Sequence, residues 1–121
     1  MRRTSVLAIF LLVACAHMPT HVADRLFCGL SIPGGGNITQ AELDTFVREV
    51  VTPRFPQGFT VWRAKGQWNG GDEEVMVLEF IHPRDAKTAA AIGEIAAAYR
   101  TRFHQEAVLR VTVPVSMEFE Q

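Results

Sequence analysis

Cysteine is scarce in this 121-residue chain: Cys15 and Cys28 are the only two. Once Cys15 is lipidated or lost with a leader, no intrachain disulfide can form. No Cys-x-x-Cys pair or zinc set is available either. His17 and His21 stand at i, i+4, a spacing that could share a metal on a helix, but Pro19 lies between them and breaks a regular helix. No other metal-ligand cluster is present in the sequence, so neither a metal nor a cofactor is expected. A basic excess is also missing. Twelve Lys and Arg face thirteen Asp and Glu, and removal of Arg2 and Arg3 leaves ten against thirteen, a net charge of −3. That balance lacks the footprint of a nucleic-acid binder. The Gly34-Gly35-Gly36 run has neither the Walker lysine nor a dinucleotide fingerprint, and reads as a mobile loop rather than a phosphate cradle.

What the chain does have begins at its N-terminus. Met1-Arg2-Arg3 is a short cationic segment, and Thr4 to Ala14 (TSVLAIFLLVA) is an apolar core. The core has the length of a signal h-region and is too short to span a bilayer. Leu12-Val13-Ala14-Cys15 resembles the bacterial lipobox, so residues 1–15 read as a lipoprotein-type export signal with Cys15 as the lipidated residue. The rival is ordinary cleavage after Ala16. Ala16 behind the cysteine points, by resemblance to Gram-negative lipoproteins, to the periplasmic side of the outer membrane. The rival cleavage would give a soluble periplasmic or secreted protein. Residues 16–23 (AHMPTHVA) form the expected tether, with His17 and His21 as solvated linker residues, and residues 24–121 form one domain.

Within that domain Arg25 to Ile32 reads as a strand, ended by Pro33 and the glycines. Thr39-Gln40-Ala41-Glu42 has the form of a capping box. Behind it Leu43, Phe46, Val47 and Val50 keep helical spacing until Pro53. Phe59 to Trp68 and Glu74 to Ile81 read as strands joined by the hairpin signal Asn69-Gly70-Gly71-Asp72. Asp85 can cap a second helix with Ala89, Ile92, Ala96, Tyr99 and Phe103 as its buried stripe. Ala107 to Val113 is the fourth strand, interrupted by Pro114. The order β-α-β-β-α-β predicts an α+β fold of the ferredoxin-like, split β-α-β type. It comprises a four-stranded antiparallel sheet with two helices on one face.

Arg25-Leu26-Phe27 with Gly29, Val51-Thr52-Pro53-Arg54-Phe55-Pro56, Gly66-Gln67-Trp68 and Phe103-His104-Gln105-Glu106 carry a resemblance. So does Val108-Leu109-Arg110-Val111. Together they resemble a bacterial family of secreted lipoproteins built on a domain of unknown function. The resemblance implies export and a common fold, and it brings no activity and no site residues.

Strand alternation assigns residues to faces. Leu26, Cys28, Leu30, Met76, Leu78, Phe80, Leu109, Val111 and Val113 suit the face beneath the helices. Phe27, Trp62, Val75, Val77, Glu79, Ile81, Arg110 and Thr112 would then share the open face. Such a face is too apolar to be left to water. A homodimer partner, another protein or a small ligand should cover it. Glu79 and Arg110 would meet there beside Trp62, either as a structural ion pair or as a ligand site in which Arg110 anchors an anion and Glu79 accepts. His82, before a proline at a strand end, reads as a turn histidine, with an acid or base at the sheet rim as the alternative. Cys28 reads as a buried small hydrophobe. Two functions follow: a lipid-anchored envelope module that binds through the open face, or a small dimeric α+β-barrel enzyme acting on an aromatic or anionic molecule. Whether the chain is an enzyme is left open by its residues.

Overall fold

The computed structural model describes residues 18–121. The export signal, Cys15 and His17 lie outside the described residues. Four strands and two helices follow in the predicted order: β1 (His21–Gly29), α1 (Gln40–Phe46), β2 (Thr60–Trp68), β3 (Gly71–Pro83), α2 (Ala86–Phe103) and β4 (Leu109–Val115). The strands form one antiparallel sheet in the order β2-β3-β1-β4. β2 and β4 are therefore the edges.

Local chemistry explains where most elements begin and end. Thr39 caps α1 through a complete capping box: its hydroxyl accepts from the Glu42 N–H, and the Glu42 carboxylate accepts from the Thr39 N–H at 2.7 Å. Two donors at the helix start are satisfied reciprocally. The helix then loosens into a π-helical stretch, Val47–Val51, before Pro53 ends it. Asp85 caps α2 by accepting from the Thr88 N–H at 2.7 Å. Asn69 and Gly70 form the two-residue turn between β2 and β3, both with positive φ (49° and 80°). This is the left-handed geometry that matches strand twist in a tight hairpin.

Three boundaries differ from expectation. β1 starts at His21 and ends at Gly29, so His21, Val22 and Ala23 belong to the sheet rather than to a tether. β3 is longer than its apolar run, reaching from Gly71 to Pro83. β4 continues through Pro114 to Val115, which an edge strand tolerates because one of its sides has no ladder to break.

Both helices cover one face of the sheet. There Leu26, Cys28, Leu30, Met76, Leu78 and Phe80 meet Leu43, Phe46, Ile92, Ile95, Tyr99 and Phe103, all buried. Phe46 packs edge-on to Tyr99 at 5.2 Å between ring centroids. The Tyr99 hydroxyl donates to the Gly29 carbonyl at 2.7 Å, so its polar end is satisfied inside the core. Cys28 is fully enclosed, and burial pushes its thiol up to about 12, which makes it inert as a nucleophile at neutral pH.

Candidate functional site

The strand register decides which side chains meet. Residues directly opposite across a ladder share a face. Leu26 pairs with Arg110, and Asp24 pairs with Thr112. Since Leu26 is core, Arg110 and Thr112 lie on the helix side. Leu109, Val111 and Val113 lie on the open side, the reverse of the expected assignment. A slip of one residue moves every side chain of a strand to the other face. The expected meeting of Glu79 and Arg110 therefore does not occur. Glu79 and Trp62 are on the open face, whereas Arg110 is not.

Arg110 instead reaches a charge that alternation did not single out. Asp24 is buried on β1 beneath α2. It accepts from Arg110 Nε at 2.8 Å and Nη2 at 3.1 Å, from His82 Nε2 at 2.7 Å, and from the Thr112 hydroxyl. Arg110 Nη1 also donates to the Ala89 carbonyl at 3.0 Å, tying β4 to α2. Burial alone would raise the Asp24 carboxyl. The bonds from Arg110, Thr112 and His82, with the guanidinium charge, outweigh it and hold the group down at about 2. His82 is thus not a free turn histidine: it is buried, and its Nδ1 lies 2.7 Å from the Pro83 carbonyl oxygen. Both ring nitrogens face oxygen acceptors. No buried side-chain polar atom among the described residues lacks a partner. A fully satisfied cluster of this kind holds structure together.

The open face has a different plan. Cross-strand pairs arrange it in rows. Trp62, Val77, Phe27 and Leu109 run side by side across all four strands. The next row is Thr60, Glu79, Arg25 and Val111, followed by Ile81, Ala23 and Val113. Arg25 Nε and Glu79 Oε2 lie 2.5 Å apart at the centre, so the charge partner of Glu79 is Arg25. Val77 is shut away from water although it sits on the open face, because Trp62 and Phe27 flank it. Six large apolar strand residues are exposed, and five of them (Trp62, Trp68, Ile81, Leu109 and Val113) project from this side. Leu109 is 55% exposed at one end of its row.

Among the described residues, no group of three or more His, Cys, Asp and Glu side chains is placed to hold a metal ion. A shallow cleft of about 500 Å³ lies between α1 and the end of α2, lined by Ile32, Glu42, Thr45, Arg102 and His104 among others. Arg102 there is engaged with Glu49 at 3.1 Å and stacks over the Phe46 ring.

The class defined by this architecture is an α+β protein with a split β-α-β sheet, helices on one side and an uncovered apolar face on the other. Within that class the chain belongs to a family described as "Protein of unknown function (DUF3574)", whose match spans residues 23–119. No curated protein sequence matches the chain. Among solved structures it is similar to a phage SAM lyase in complex with S-methyl-5'-thioadenosine, at 17% identity and a TM-score of 0.54. That alignment covers 79% of this chain and 82% of the lyase. It is also similar to a phage SAM lyase in the apo state, at 14% identity and a TM-score of 0.54, covering 83% of this chain and 92% of that one. At these identities the likeness is one of fold alone.

Proposed function

We propose that this protein is an exported envelope protein, lipid-anchored at Cys15, whose domain works as a binding module through the open sheet face. The row Trp62–Val77–Phe27–Leu109 carries the reading. A contiguous apolar strip across four strands, with a second apolar row beyond the ion pair, is costly to leave in water. It is spent usefully only when something covers it.

Radical footprinting in the native envelope tests the face. Trp62 and Leu109 should label several-fold less there than in the same chain purified and diluted. Equal labelling in both settings sinks the reading. The anchor has its own test: Cys15→Ser should release the protein from membranes and abolish acyl labelling, and unchanged fractionation rules lipidation out.

A second reading, a small enzyme, draws on the fold shared with the phage lyase, whose bound S-methyl-5'-thioadenosine carries a purine suited to stacking on an exposed aromatic. Here the counterpart is Trp62. Titrating that nucleoside against the Trp fluorescence of the chain decides it; no change at millimolar concentration removes this reading.

A further inference from the structure

We infer that the occupant of the open face is a second copy of this chain, packed sheet to sheet about a two-fold axis that runs along the strands between β1 and β3. The inference rests on the open face being the binding surface, and it goes further by naming what binds.

Symmetry carries the first argument. The order β2-β3-β1-β4 puts the centre line of the sheet between β3 and β1. Arg25 and Glu79 are opposite each other across that line. A two-fold rotation about it lays each row over the same row of the other copy, reversed. β2 then covers β4, and β3 covers β1. Trp62 meets Leu109, Val77 meets Phe27, Ile81 meets Ala23, and Glu79 meets Arg25. Trp62, Val77 and Ile81 each find an apolar side chain, Val111 finds Thr60, and the Glu79 carboxylate finds the Arg25 guanidinium. An isologous interface needs this self-complementarity, in which residue i contacts j and j contacts i. Sheets stacked face to face keep their strands within about 30° of parallel, so the rows stay in contact despite the twist.

Charge at the centre agrees with it. There the face bears one positive and one negative group, already paired, while Glu73 adds a carboxylate toward the hairpin end. Arg25 is nevertheless 42% exposed, which leaves guanidinium donors free to reach across. β1 and β3 overlap over about 30 Å at ~3.4 Å per residue, whereas β2 and β4 are staggered and share only the rows of Val77 and Glu79. The projected footprint is roughly 400 Å² at ~4.8 Å per strand, and upright side chains add to it, which places the contact among small, reversible interfaces rather than the ~800 Å² per partner of a standard one. The chain's own tail does not fill this role, since Phe119 is 83% exposed to solvent.

The test uses the full chain with either of two C-terminal affinity tags, co-expressed, cross-linked on the membrane and extracted in mild detergent. Wild-type chains of the two tags should copurify. Arg25→Glu alone, or Glu79→Arg alone, sets like charges face to face and should cut copurification by at least about tenfold. Co-expressing these two single variants should restore it, because a copy with two carboxylates then meets a copy with two guanidiniums. The double variant, Arg25→Glu with Glu79→Arg, should behave as wild type, and it keeps the test valid if a single variant folds poorly. Wild-type chains that never copurify overturn the inference, and so does copurification indifferent to these charges. If wild-type chains stay single while Trp62 and Leu109 remain shielded in the envelope, another molecule covers the face. The second copy is then excluded and the binding reading survives. Loss of both shielding and copurification ends both.

Discussion

Asp24 and Arg25 are neighbours in the chain and opposites in circumstance. Alternation along β1 sends Asp24 under α2, where it is 1% exposed, and Arg25 to the open face, where it is 42% exposed. Both hold an opposite charge on an adjacent strand. Asp24 has Arg110, His82 and Thr112 around it, every bond is made, and nothing is left to offer a ligand. Arg25 has Glu79 alone, on a surface whose neighbours are apolar and uncovered. The residue types are those of an ion pair in each case. Surroundings assign one pair to holding three strands and a helix together, and leave the other on an uncovered apolar surface.

The sharpest way to break the comparison is Asp24→Ala. It strands a guanidinium and an imidazole beneath α2, and urea unfolding should show a loss of about 3–5 kcal/mol. If Arg25→Ala costs as much, the distinction between the two pairs fails.

Acid should act on the same side of the sheet. The Asp24 carboxyl is held at about 2, below its ordinary 3.8, so it binds its proton more readily in the unfolded chain. Its contribution is therefore complete above pH 3.8 and is lost as pH falls from there through about 2. Linkage makes this about 2 kcal/mol. Urea unfolding compared at pH 5 and pH 2 should show that extra loss in the wild type but not in Asp24→Asn. Parallel losses in the two chains would detach the cluster from acid stability.

Glu79→Ala should cost the fold under about 1 kcal/mol, as a partly exposed pair does, and still weaken dimer or ligand affinity. If melting temperature, oligomeric state and binding all stay put, the central pair has no part in recognition. The smallest effect belongs to Trp68→Ala. Trp68 is 63% exposed at the end of the hairpin, so removing it should change folding stability by no more than about 0.5 kcal/mol. A larger drop, measured only at concentrations where chains associate, would extend the covered area to the hairpin tip.

Much of the fold was legible because its signals are local. The Thr39–Glu42 capping box, the Asp85 cap, the Asn69-Gly70 turn and the helical stripe ending in Tyr99 and Phe103 each depend on residues a few positions apart. The uncovered apolar face was legible in outline from the same alternation. β4 was not. In Val108-Leu109-Arg110-Val111-Thr112-Val113 both alternating sets contain β-branched or apolar side chains, so local pattern cannot choose a face. The choice is made by Asp24, buried eighty-six positions earlier and in need of a guanidinium. The start of β1 was hidden for a related reason. His21 to Ala23 reads as the end of a tether until the register sets them beside β3 and β4, with His82, Thr112 and Arg110 around Asp24.

The two edges of the sheet bear on what kind of assembly this molecule can make. β4 contains Pro114, which has no N–H to offer an incoming strand, and β2 displays Arg63 and Lys65 along the other rim. Neither rim is an easy template for lateral growth. Crowded copies would therefore be steered away from open-ended threads, in which each chain recruits the next without limit. What remains is association broadside, and a sheet with only one bare side can be broadside to one neighbour at a time.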